Sequence, residues 1–308
     1  MSQIGIVSHD AGGAEVLSNW VKNQLENHKF NFYLEGPAKK IFRKNLNSYY
    51  LNNNKISIQE FINISDYIIC STSWASEIEK KFVKETKLMK KKVISVLDHW
   101  SNYKERFIYK NDQIILPDEI WVCDDYAHNI VKEIFNNIKI IKIKNPYFSK
   151  IKKQLDNFSK IANIETKKYL LYVCEPLREH ALIQHNDENY FGYTEETALN
   201  YFLEHVKLLD LKYDYILIRP HPSENSKKYD WVIHKFRDIN IKINNKRDLL
   251  EQIYYSQAII GCESMALIVG DLAKKKIISS IPPGGRECVL PHRKIEKLKN
   301  IILKKKYD

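Results

Sequence analysis

The residues best suited to chemistry stand where apolar runs end. Arg219-Pro-His221-Pro-Ser-Glu224 follows the run Tyr213–Ile218. An arginine there offers a planar fork to phosphate oxygens. Prolines on either side of His221 fix the backbone that carries it, and an imidazole so held can donate to a phosphate or protonate a leaving oxygen. Gly261-Cys-Glu263-Ser264-Met265 opens a helix directly after Ala258–Ile260. The backbone N–H groups of Glu263, Ser264 and Met265 then favour an anion, and the Ser264 hydroxyl adds a donor. Ser264 or Glu263 can serve as the helix cap at the same time. Glu175-Pro-Leu-Arg178 follows another apolar run, and Pro282-Pro-Gly-Gly-Arg286 is a stiff-then-flexible loop whose arginine either closes over a ligand or belongs to a surface turn.

The N-terminal half offers proton chemistry. Ser8-His9-Asp10-Ala-Gly12-Gly13-Ala-Glu15 follows the first apolar run. His9 and Asp10 suit a base and its orienting partner. Gly12 and Gly13 either shape a tight turn or let a substrate approach the backbone closely. Asp98-His99-Trp100-Ser-Asn-Tyr103 sets a carboxylate among aromatic rings whose faces suit sugars, and that carboxylate can bind or deprotonate a hydroxyl. The chain has no Asp-x-Asp, no His-x-x-x-His and no Walker motif, and Asp10–Glu15 is not G-x-G-x-x-G. No metal and no cofactor is therefore expected.

These segments need a scaffold that brings strand ends together. Apolar runs at Ile4–Val7, Phe30–Leu34, Tyr67–Cys70, Val93–Leu97, Glu119–Cys123 and Ile138–Ile143 predict strands. Helix-period stretches at Glu15–Leu25, Ala75–Met89 and Tyr126–Phe135 alternate with them. The alternation pauses across residues 145–165 and restarts. Strands are then predicted at Tyr169–Val173, Tyr213–Ile218, Ala258–Ile260 and Ile277–Ser279. Helices are predicted at Thr194–Leu209, Leu249–Tyr254, Ser264–Ala273 and Arg293–Lys304. Strands apolar on both faces and separated by helices indicate parallel sheets. Two Rossmann-like α/β domains follow, residues 1–147 and 148–308, with ligands expected outside the carboxyl ends of the strands.

The chain has 308 residues and a formal net charge of +11. Arginine is scarce, with 8 residues against 41 lysines, a bias typical of AT-rich coding, so lysine runs read as solvated faces. Basic side chains concentrate in residues 144–168 and 292–308, and the second of these stretches suits peripheral contact with an anionic membrane face. There is no RNA-binding motif and no basic recognition helix, so a nucleic-acid partner is not expected. No apolar run approaches a membrane span, and the N-terminus enters a strand without a basic leader. A cytoplasmic protein is expected. The five cysteines form no metal-site spacing and read as buried small residues.

With these motifs in place, the sequence resembles the GT-B glycosyltransferases. Arg219-Pro-His221-Pro222 is similar to the His-Pro motif of bacterial sialyltransferases, Kdo transferases and CDP-glycerol-dependent transferases, and Ser264 to their downstream serine motif. The resemblance implies two Rossmann-like domains facing across a cleft. The first would bind a glycan or lipid-linked acceptor through Gly12, Gly13, His99, Trp100 and Tyr103. The second would bind a nucleotide sugar through Glu175, Arg219, His221, Glu263, Ser264, Met265 and Arg286. The reaction implied is metal-independent, inverting transfer from a CMP- or CDP-linked sugar in surface-glycan synthesis. Asp10 leads as the base, with His9 and Asp98 as the other candidates. The alternative is a sugar-nucleotide 2-epimerase of the same architecture, which would draw on several carboxylates: Asp10, Asp98, Glu175 and Glu263.

Overall fold

The computed structural model describes residues 1–47, 56–74, 76–110, 112–160, 168–225 and 227–307. Ala75, the expected start of one helix, and residues 161–167 of the expected linker lie outside them. The chain divides into two compact units, Met1–Lys150 and Ile151–Asp308.

Unit 1 runs β1 (Gln3–Ser8), α1 (Ala11–Lys22), β2 (Lys29–Leu34), α2 (Ala38–Leu46), α3 (Ile58–Asn63), β3 (Tyr67–Cys70), α4 (Ile78–Leu88) and β4 (Lys92–Val96). It continues with a short antiparallel pair, β5 (Ile108–Tyr109) and β6 (Gln113–Ile114), then β7 (Glu119–Val122), α5 (Asp125–Ile134) and β8 (Lys139–Lys142). Its sheet has the order β2-β1-β3-β4-β7-β8, and every pairing in it is parallel. Period-2 alternation sends Ile4, Ile6 and Ile69 to one face, with Val16, Leu17 and Phe42 of the helices. Val7, Ile68 and Val93 go to the other, with Phe61, Phe82 and Val83. Each such buried aliphatic or aromatic side chain contributes about 1.5–3 kcal/mol, so burial on both faces is what holds a parallel sheet together.

Helix α6 (Pro146–Phe158) contains the division between the units. Unit 2 then runs β9 (Tyr169–Val173), α7 (Leu177–His185), α8 (Glu195–His205), β10 (Tyr215–Arg219), α9 (Trp231–Lys235), β11 (Ile241–Ile243), α10 (Leu249–Tyr255), β12 (Ala258–Gly261), α11 (Met265–Leu272), β13 (Lys276–Ser279), β14 (Glu296–Lys297) and α12 (Leu298–Tyr307). The second sheet, β11-β10-β9-β12-β13-β14, is again wholly parallel. All five residues of its central strand β9 are buried. Thr194 caps α8 in a capping box with Thr197, and Asp124 caps α5.

Three expectations change. The paused stretch holds a 13-residue helix, α6. The segment after Cys174, given no element from the sequence, is helical from Leu177. The final helix begins at Leu298, because Glu296 and Lys297 first add an edge strand to β13. Leu298 and Ile302 of α12 are buried, so its apolar side is spent on the core, while Lys304, Lys305 and Lys306 face solvent. Among the described residues no helix is long and apolar enough to cross a membrane.

Candidate active site

Each sheet has one place where strand order reverses about its first strand. In unit 1 it lies between β1 and β3, and in unit 2 between β9 and β12. Loops leaving adjacent strands there diverge to opposite faces and open a crevice at the carboxyl ends. The residues singled out in the sequence stand at those ends.

In unit 1, Asp10 occupies the position before α1, but its side chain makes no capping hydrogen bond. Instead His9 Nδ1–H donates to Asp10 Oδ1 at 2.7 Å. The two side chains are 29% and 28% exposed, so the pair is partly open to solvent. A carboxylate only accepts, so this bond fixes the imidazole tautomer and leaves Nε2 as the lone-pair nitrogen. The ring edge bearing Nε2 rests on Gly36. A Cβ there would lie 2.6 Å from Nε2, and the backbone at Gly36 has φ +47°. Any side chain at position 36 would displace the imidazole.

Asp98 is differently placed. Its Oδ1 accepts from Arg106 Nη1 at 2.9 Å, and both groups are largely buried. Arg106 also donates to the carbonyl and hydroxyl of Thr72 and, from Nε, to the Ser101 carbonyl. Asp98 Oδ2 lies against Gly12, where a Cβ would fall on it, and Gly13 packs against Ser71. The two glycines thus let the start of α1 close onto the unit's own polar side chains. Trp100 is buried, and its indole N–H donates to Asp124. Tyr103 is buried too, and that burial raises its phenol pKa. His99 meets Ser101 through Nδ1 at 3.0 Å and tilts against Trp100.

In unit 2, the start of α11 already holds a carboxyl group. Glu175 Oε1, from the end of β9, accepts the N–H groups of Cys262 (3.0 Å) and Glu263 (2.9 Å). Burial pushes the Glu175 carboxyl up to about 8, and the nearby Glu263 charge adds to this. The N–H groups of Glu263, Cys262 and Ser264 oppose it. Ser264 caps α11 through Ala266 N–H at 3.2 Å, and Met265 is the first helical residue. The Glu263 carboxylate pairs with Arg286, whose guanidinium lies 3.6 Å over the Phe191 ring. Buried Tyr193 carries a hydroxyl with no partner among the described residues, and its burial, reinforced by the nearby Cys262, Glu263 and Glu175, raises its pKa.

Arg219 ends β10, on the far side of β9 from β12. Its Nη1 donates to the Arg247 carbonyl (2.8 Å) and to Gln252 Oε1 (2.6 Å). His221 donates its backbone N–H to Glu224 and meets the Ser223 hydroxyl at 2.7 Å. Burial lowers the His221 pKa and favours the neutral ring, while Glu224 and Glu179 oppose this. The structure therefore groups Glu175, Glu263, Ser264 and Arg286 at one strand end, and Arg219 with His221 at another.

Sequence reasoning missed Glu79 as a partner of the site. Glu79 had a signal. Glu79, Phe82, Val83 and Thr86 share one buried face of α4, at i, i+3, i+4 and i+7, so a carboxylate sits on an apolar stripe.

No protein-family model and no curated protein sequence matches the chain. Solved structures do match it. The S. aureus MnaA–UDP co-structure aligns over 99% of this chain and 87% of its own, with a TM-score of 0.62 and 11% identity. The architecture is of the GT-B type. UDP-GlcNAc 2-epimerase from Neisseria meningitidis, bound to UDP-GlcNAc, covers 99% of this chain and 90% of its own, with a TM-score of 0.58 and 11% identity. A UDP-glucosyltransferase from Polygonum tinctorium covers 91% and 79%, with a TM-score of 0.51 and 8% identity. At these identities the likeness is one of fold, and a single fold carries both an epimerase and a transferase of nucleotide sugars.

Proposed function

We propose that the protein is a metal-independent glycosyltransferase that uses a nucleotide-activated sugar, CMP- or CDP-linked, to extend a glycan or lipid-linked acceptor in surface-glycan synthesis. The observation that carries this reading is the His9–Asp10 pair at the carboxyl end of β1. In this reading His9 is the base and Asp10 its orienting partner, a reversal of the order expected from sequence. His9 Nε2 takes the acceptor hydroxyl proton as that oxygen bonds to the sugar, and the nucleotide leaves with the electron pair of the broken bond. In this reading unit 1 binds the acceptor and unit 2 binds the nucleotide. Donor phosphate at the start of α11 would take over N–H groups now given to Glu175. Arg219-Pro-His221-Pro222, the segment similar to the His-Pro motif, supports a cytidine nucleotide. The basic surface of α12 would add electrostatic contact with an anionic membrane.

The second reading is a 2-epimerase, and the structural neighbours support it at the level of fold. Inverting a carbon centre requires a proton to be removed on one face and returned on the other, which calls for more than one acid/base group. Of the four carboxylates proposed for that work, Asp98 is held by Arg106, Glu263 by Arg286 and Glu175 by backbone N–H groups. The one remaining, Asp10, holds His9. A single imidazole–carboxylate pair fits one proton transfer, which favours the transferase.

A thermal-shift panel of CMP, CDP, UDP and GDP tests the nucleotide half of the proposal. A cytidine nucleotide at about 100 times its Kd should add roughly 2.7 kcal/mol of stability. If none of the four nucleotides raises Tm, the donor assignment fails.

A further inference from the structure

Beneath the loop that carries His9 and Asp10 lies a carboxyl that the proposed reaction does not use. Glu79, in the first turn of α4, is 2% exposed. Its Oε1 accepts the backbone N–H of His9 at 2.9 Å and the Ser71 hydroxyl at 3.0 Å. Ser71 in turn meets the Ser8 hydroxyl at 2.9 Å, so a buried hydrogen-bonded shelf joins the ends of β1 and β3 to α4. Glu79 Oε2 is buried and has no partner among the described residues. A buried carboxyl with one oxygen unpartnered among the described residues is costly.

We infer that Glu79 is the positioning residue of the His9–Asp10 pair: it grips the His9 backbone from below and fixes the direction in which the imidazole is presented. The inference rests on the reading of His9 as the base. The physical need is plain. The loop between β1 and α1 holds two consecutive functional side chains, and the bond between them constrains each relative to the other without tying either to the sheet. The Glu79–His9 bond supplies that tie, and Gly36 limits the ring from the opposite edge. A displacement of about 1 Å at a proton-transfer group costs up to about 10²-fold in rate, so such a tie has a purpose that packing alone does not.

The ionisation of Glu79 fits the same picture. Burial raises its pKa, and the Asp10 charge adds to this. Its own backbone N–H, that of His9 and the Ser71 hydroxyl oppose it. The other groups facing it are the buried Cys70 thiol and, on its own helix, Lys80, which is paired with Glu77.

The test uses the full chain with Glu79→Ala and Glu79→Gln. In the alanine variant the His9 amide should exchange with deuterium at least about tenfold faster, and kcat should fall about 10–100-fold with KM unchanged. Glutamine keeps an acceptor oxygen and should restore most of both. A merely structural Glu79 would lower stability but leave kcat per folded molecule and the His9 amide unchanged, and that result overturns the inference. Should neither variant fold, the wild-type amide spectrum decides. A His9 amide protected from exchange supports the tie, and one that exchanges as fast as an open loop amide overturns the inference. If the wild type has no transferase activity but the His9 amide responds, the proposed reaction fails and the Glu79–His9 tie stands.

Discussion

Replacing Asp10 with asparagine should lower kcat by about 10²-fold or more while leaving nucleotide affinity intact. The shape at position 10 is kept. What is lost is the carboxylate that accepts the His9 Nδ1 proton at 2.7 Å. An amide at that place can present its NH₂ to Nδ1 and so select the tautomer that puts the proton on Nε2, where it cannot accept another. Stability should stay within about 0.5 kcal/mol of wild type, because Asp10 makes no side-chain bond to the start of α1 and no cap is lost. Steady-state kinetics and a melting curve on the same preparation check both halves. Near-normal kcat would mean that the His9–Asp10 pair is not the proton acceptor. A parallel loss of stability would assign Asp10 to the helix start.

The second large effect concerns pH and unit 2. Glu175→Gln should stabilise the protein increasingly as pH rises. The folded-state pKa of Glu175 is about 8, against an ordinary value of 4.5. Below the ordinary value both folded and unfolded chains hold the proton, and the carboxyl costs nothing. Between the two values the unfolded chain releases its proton and the folded chain keeps it. Wild type then loses about 1.4 kcal/mol of stability per pH unit. Above the folded value the loss stops growing, at a few kcal/mol. Glutamine keeps an acceptor for Cys262 and Glu263 N–H and does not titrate. The difference in Tm between variant and wild type should grow to on the order of 5–10 °C in mildly alkaline buffer and vanish in acid. A difference that does not change with pH would mean that Glu175 is not held protonated at the start of α11.

Strands β1–β4, β7–β10, β12 and β13 were legible because each is a short apolar run, and their order of appearance, with helices between, specified parallel sheets, whereas β5, β6, β11 and β14 were not read from the sequence. Helix α6 was also legible in principle. Asn145 accepts Phe148 N–H at 3.0 Å as a cap, Pro146 takes the first helical position where its missing N–H costs nothing, and Ile151, Leu155 and Phe158 recur at helical spacing. The lysines between them drew the reading toward a linker. At α12 the periodic pattern runs back to Arg293, and only the pairing with β13 shows that Glu296 and Lys297 belong to the sheet. The site divides in the same way. Which residues stand at strand ends follows from the runs themselves. What each one binds depends on strand order. Asp98 reaches Arg106, eight residues on, whereas Glu175 reaches N–H groups 87 and 88 residues away. The second of these contacts exists only because β9 lies beside β12. Trp100 and Tyr103 illustrate the converse. Their types suggested open faces for sugar, but the loop folds both inward, and composition carries no sign of that direction.

One measurement bears most directly on the proposed chemistry: NMR of the protein in D2O with CMP- and CDP-linked sugars and UDP-GlcNAc, with glycan acceptors, in the presence and absence of EDTA. A transferase with a single imidazole base and no metal predicts free CMP or CDP in proportion to the glycoside formed. It also predicts an unchanged rate in EDTA and a retained C2 proton on UDP-GlcNAc. Deuterium at C2 with the nucleotide still attached would contradict it in favour of the epimerase, and turnover lost in EDTA and restored by Mg²⁺ or Mn²⁺ would contradict its metal independence.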